Sequence, residues 1–125
     1  LYDYVDERGR NSIRDWTEEY GRRQRAQLNS KLDQLAANGE DVGSNVLLRM
    51  SSTILKLKVR TKGVELRPML CKGPLAVNDE FTILIGAREE EWALVPKDVV
   101  EQAEARRGEV LAAPQARRTV HERII

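Results

Sequence analysis

Three cations, Lys56, Lys58 and Arg60, alternate with Leu55, Leu57 and Val59. A period of two is that of a strand, so the apolar side chains share one face and the cations form a row on the other. Such a row suits contact with phosphate oxygens; it suits equally a solvated strand whose lysines discourage sheet-to-sheet aggregation. Arg67 follows on a second strand, where Glu65, two residues away on the same face, offers it an ion-pair partner. Other residue types narrow the chemistry. Glu89, Glu90 and Glu91, with Asp79 and Glu80, make a poor metal cluster, because consecutive strand residues point to opposite faces; a solvated turn is the expectation. One cysteine, Cys71, and one histidine, His121, exclude an internal disulfide framework and a clustered Cys/His zinc site. Cys71 has no base near it in sequence. His121 lies among Arg117, Arg118 and Arg123, where an exposed tail residue is expected rather than a general acid. Those tail arginines, with Arg106 and Arg107, suit RNA or an acidic partner.

The elements that must position these residues are readable in outline. Leu1 to Val5 reads as a short strand. Asn11 and Ser12 begin a first helix, with Asp15 in capping-box spacing from Ser12 and with Ile13, Trp16 and Tyr20 on one face. A second helix is predicted from about Arg22 to Asn38 through the stripe Leu28, Leu32, Leu35 and Ala36, with Gly39 as its stop; the two form a helical hairpin. The cationic strand from Thr53 turns at Lys62 and Gly63 into a second strand, and Pro68 marks an edge or a bulge. Phe81 to Ala87 is apolar on both faces, as in a central strand, and Glu91 to Val95 is a shorter one; Trp92 is expected to cover a sheet edge. Pro96 opens a third helix, with Val99, Val100, Ala103, Val110 and Leu111 buried and Pro114 ending it. The fold class is therefore α+β: a small, mainly antiparallel sheet of four to five strands, an N-terminal helical hairpin, and a C-terminal helix packed near it.

Length and composition bound the rest. The 125 residues form one expected domain, 1–125, able to bury roughly two-thirds of its unfolded surface. Bulk charge names no partner, since 21 basic residues stand against 20 acidic ones. The distribution is uneven: residues 41–75 carry seven basic and two acidic groups, and residues 76–105 carry two and eight. Within one sheet this predicts a basic zone beside an acidic zone, a steering pattern for an anionic partner. Few aromatic residues argue against a stacking platform of the RRM or OB kind. No stretch approaches the roughly 18 apolar residues of a membrane span, so a soluble protein without membrane contact is expected, with a reducing, cytoplasmic setting as the default.

Several strings, in this order, resemble the RelE/HigB-like toxins of bacterial and phage type II toxin-antitoxin modules, within the RelE/ParE superfamily. "YDYVDERGRNSIRDW" is similar to the opening strand and first helix, "LKLKVRTKGVELRP" to the family hairpin, "ILIGA" to a central strand, and "VPKDVVEQAEARR" to a proline-led helix. The resemblance implies a toxin that binds RNA and cleaves mRNA, as such toxins often do on the ribosome, as an endoribonuclease without metal or other cofactor. It implies as partner a cognate antitoxin of helix-turn-helix type, and allows a homodimer. In this reading Arg67, Lys58 and Lys56 are the catalytic candidates, Arg67 stabilising charge and either lysine positioning phosphate, while Arg60, Lys72 and Arg88 bind substrate. The chain departs from the family in "EFTIL", and in "AREEEW", where Glu89 and Glu90 stand in place of lysines. The alternative is a noncatalytic, protein-binding module of the ParE kind or an inactive homologue.

Overall fold

A computed structural model describes all residues from Leu1 to Ile125. Ten strands and four α-helices follow in the order β1 (Tyr2–Tyr4), α1 (Ser12–Glu18), α2 (Arg22–Asn38), β2 (Leu47–Arg49), β3 (Leu55–Leu57), β4 (Val59–Arg60), β5 (Glu65–Leu66), β6 (Met69–Lys72), β7 (Phe81–Ile85), β8 (Arg88–Glu90), β9 (Ala93–Val95), α3 (Val99–Ala112), α4 (Pro114–Arg117) and β10 (Arg118–Val120). The fold is α+β, but the strands exceed the expected four or five: a six-stranded sheet in the order β10-β1-β7-β6-β3-β2 adjoins a four-stranded one in the order β4-β5-β8-β9. All pairings are antiparallel except β1 with β7. The strands β3–β4, β5–β6 and β7–β8 each run from one sheet into the other, with their breaks at Lys58, at Arg67–Pro68 and at Gly86–Ala87. Pro68 marks a bulge, not an edge: the register with β7 shifts between Met69 and Leu70, and the Pro68 carbonyl still accepts from the Leu57 N–H at 3.0 Å.

Alternation along β6 and β7 divides the core in two. Met69, Cys71 and Leu84 pack with Val99, Ala103 and Val110 of α3, whereas Leu70 and Ile83 pack with Ile13 of α1 and with Leu28, Leu32 and Leu35 of α2. The sheet is therefore covered by the helical hairpin on one face and by α3 on the other. The C-terminal helix packs on the face opposite the hairpin and meets α1 through Arg106 and Ser12, because apolar side chains on both faces of the central strands require a cover on each. α3 begins at Val99 rather than Pro96, and Leu111 is exposed. Asn11, not Ser12, caps α1: its Oδ1 accepts from the Arg14 N–H at 3.0 Å. The Ser12 hydroxyl instead accepts from Arg106 of α3 at 3.2 Å. α1 approaches β7 so closely that a Cβ on Gly86 would lie 2.0 Å from the Trp16 ring.

The last residues, expected as a loose helical turn or a tail, form the helical turn α4 and then the strand β10. β10 pairs with β1, Arg118 pairs with Glu80, Arg123 reaches Asp33 of α2 at 2.8 Å, and Asn29 donates to the Ile124 carbonyl at 2.8 Å. His121 is correspondingly no exposed residue: its Nδ1 lies 2.8 Å from the buried Asp3 carboxylate, which also accepts from Asn11 at 2.9 Å. No helix is long and apolar enough to cross a membrane.

Candidate functional site

Strand pairing in the four-stranded sheet creates an electrostatic problem that the cations solve. Arg60 on β4 stands opposite Glu65 on β5, and Glu65 stands opposite Glu89 on β8. Like charges directly opposite on neighbouring strands repel. Arg67 lies between them: its Nη2 is 3.2 Å from Glu65, its Nε 3.5 Å from Glu89, and its Nη1 donates to the Leu66 carbonyl at 2.8 Å. Arg60 adds a contact to Glu65 at 3.3 Å, and Lys56 approaches Glu89 at 4.0 Å. The guanidinium of Arg67 is buried, with only 5% of its side chain exposed, and its Nε makes no hydrogen bond.

This corrects the expectation of a row of cations open to water. Lys56, Lys58, Arg60 and Arg67 are not a bare grip for a polyanion. Arg67 is sunk beneath the surface, Lys56 is 12% exposed beside Glu89, and of the cations that meet a carboxylate here only Arg60, at 86%, stands out into solvent. Lys58 takes no part in these contacts, but its charge acts on Lys56. The Lys56 ammonium is held below the ordinary lysine value, first because burial strips its hydration and further by the nearby charges of Arg67 and Lys58, with Glu89 opposing. The basic and acidic segments meet at Glu89, which faces both Lys56 and Arg67.

The cluster forms one wall of an open cavity of about 210 Å³ lined by Arg60, Glu65, Arg67, Glu89, Glu91 and Trp92. Glu91 and Trp92 make the two-residue turn between β8 and β9, with φ of 49° and 70°. Turns of this hand ordinarily use Asn-Gly or Asp-Gly, because a side chain with positive φ meets its own backbone. Trp92 covers no sheet edge: it is 96% exposed and stands at the rim of the cavity.

Two of the substrate-binding candidates fall elsewhere. Arg88 and Glu90 share the other face of β8 from Glu89, and they pair with each other at 2.8 Å. The Arg88 guanidinium is raised above its usual value, first by the hydrogen bond to Glu90. Lys72, at the end of β6, pairs with Glu40 at 3.1 Å and lines a separate cavity with Arg49 and Arg107. Cys71 is fully buried and its thiol is pushed up to about 11 by that burial, so it is no nucleophile.

The site gains four residues that sequence reasoning did not assign to it, Glu65, Glu89, Glu91 and Trp92. Glu65 was legible as a partner of Arg67, since the two are two residues apart on one strand. Glu89 was not, because its place depends on β8 pairing with β5; the one signal was that the acidic "AREEEW" and the cationic "LKLKVR" are complementary in charge. Trp92 carries no periodic signal at all. No three His, Cys, Asp or Glu side chains are placed to hold a metal ion together. No known family, curated protein or solved structure matches the chain.

Proposed function

We propose that the protein is a toxin-like, RNA-binding domain that cleaves RNA by metal-independent transesterification in the cavity beneath Trp92. The observation that carries this reading is the convergence of three carboxylates, Glu65, Glu89 and Glu91, and two guanidinium groups in one open cavity. In-line cleavage needs a base for the ribose 2′-hydroxyl, positive charge on the phosphorane, and fixed geometry. Glu89 takes the 2′-hydroxyl proton as O2′ bonds to phosphorus. Arg60, exposed to solvent, neutralises the charge that develops on the phosphoryl oxygens, while Arg67 backs it from below. The bond from phosphorus to O5′ breaks, and the O5′ alkoxide is protonated by water at the open mouth. Lys56 is a positioning residue that holds Glu89 in place.

The resemblance to RelE/HigB-like toxins supports the same reading and adds a helix-turn-helix antitoxin as partner and bacterial or phage mRNA as substrate. The departure of "AREEEW" from the family pattern is then a replacement of lysine chemistry by a carboxylate base. The test is incubation of the full chain with RNA in excess chelator. Fragments ending in 2′,3′-cyclic phosphate and 5′-hydroxyl are expected, with a loss of roughly 10²-fold or more in Glu89→Gln. Intact RNA, or full activity in Glu89→Gln, would overturn it.

A further inference from the structure

The strongest unassigned feature lies off the sheet cavity, where the first turn of α2 meets the turn between β4 and β5. Gln24 clamps the two together: its Oε1 accepts from the Gly21 N–H at 3.0 Å and its Nε2 donates to the Lys62 carbonyl at 3.2 Å. Between them is a cavity of about 520 Å³ lined by Gly21, Arg22, Arg23, Gln24, Gln27 and Lys62. Three cations line it, with no carboxylate and no apolar side chain.

Arg22, Arg23 and Lys62 are exposed, and no carboxylate lies within ion-pair distance of any of them. That sets them apart from Lys56, Arg60 and Arg67, whose charges the chain itself answers. The Gly21 N–H is already engaged by Gln24, so the charge of this cavity comes from side chains and not from free amides at the helix end. Two arginines in the first turn also face the positive end of the helix dipole, an arrangement that does nothing for stability and that an anion would relieve. Lys62 lies in the turn that follows β4, two residues beyond Arg60 of the proposed active site, although the two cavities share no lining residue.

We infer that this cavity is a phosphate-binding site that holds the RNA backbone on the flank of the cleavage site. The identity of the ligand rests on the RNA reading above; the anion site itself does not. Its three side chains contact phosphodiesters and carry no base recognition. Gln24 and Gln27 supply neutral donors to the same oxygens.

The test uses the full chain and a 2′-O-methylated oligonucleotide, which cannot be cleaved by this route. Its affinity is measured across about 50–200 mM salt for the wild type, for Arg22→Gln/Arg23→Gln/Lys62→Gln, and for Arg8→Gln/Lys97→Gln as a control at exposed cations elsewhere. Loss of three phosphate contacts should make the slope of log affinity against log salt shallower by about 2. The control should keep the wild-type slope. Equal slopes in the triple variant and the wild type overturn the inference. Titration with inorganic phosphate forms the second arm: if it saturates the cavity while the oligonucleotide slope is the same in both proteins, the ligand is a small phosphate and the RNA assignment falls. If the wild type cleaves RNA but the slope is unchanged, only this inference fails. If the slope changes but no RNA is cleaved, the binding site stands and the cleavage reading fails.

Discussion

Replacing Arg67 by Met tests whether the ionic cluster serves the fold or the site. The substitution removes the hydrogen bond to Leu66 and both contacts to Glu65 and Glu89, and leaves the opposed carboxylates without the guanidinium between them. Breaking a fully buried pair costs about 3–5 kcal/mol. Here Glu65 keeps Arg60, Glu89 keeps Lys56, and the two side chains remain 32% and 22% exposed, so water recovers part of that loss. A destabilisation of about 2 kcal/mol is expected, which at a urea m-value of roughly 2 kcal/mol/M lowers the midpoint by about 1 M. The informative comparison is Lys56→Met/Arg67→Met/Glu89→Leu, which removes the mutually dependent charges and leaves Glu65 with Arg60. Apolar replacement of a whole buried ion network is often neutral or stabilising, so this chain should unfold at or above the midpoint of the single variant and cleave no RNA. A triple variant markedly less stable than Arg67→Met would refute the reasoning, because the cluster would then be a net support of the fold.

Further outcomes follow from packing and burial. Gly86→Ala places a Cβ 2.0 Å from Trp16 and should cost about 3 kcal/mol, read as a lowered thermal midpoint; adding Trp16→Leu should recover part of it, in a non-additive double-mutant cycle. Cys71 should resist iodoacetamide at neutral pH in the folded protein and react once urea unfolds it. Because burial raises that thiol from 9.0 to about 11, its contribution to stability is intact below pH 9 and is lost as pH rises through 11; Cys71→Ala should flatten this alkaline decline.

Local periodicity carried the helices and the hairpin well. Leu28, Leu32 and Leu35 are spaced so that only a helix gathers them, and α2 runs over the residues expected. Lys62 and Gly63 lie in the loop between β4 and β5, as a tight turn requires. What escaped was everything set by pairing between distant strands. The alternation from Thr53 to Arg60 does not show that the strand breaks at Lys58 and changes sheet, nor could the three residues of β2 stand out from a loop. His121 looked like a tail residue because its partner, Asp3, lies 118 residues away. The cations were legible as a row, yet their exposure depended on Glu89, whose position only the β5–β8 register decides.

The shared strands have a mechanical consequence. Three continuous segments cross from the larger sheet into the smaller one in matching order, and the Arg67 N–H binds the Ala87 carbonyl at 2.8 Å on the crease itself. The small wing therefore has no seam along which to peel away. Its amides should exchange with solvent deuterium only when the whole molecule opens, and anything that clamps the wing should slow exchange throughout the central strands as well.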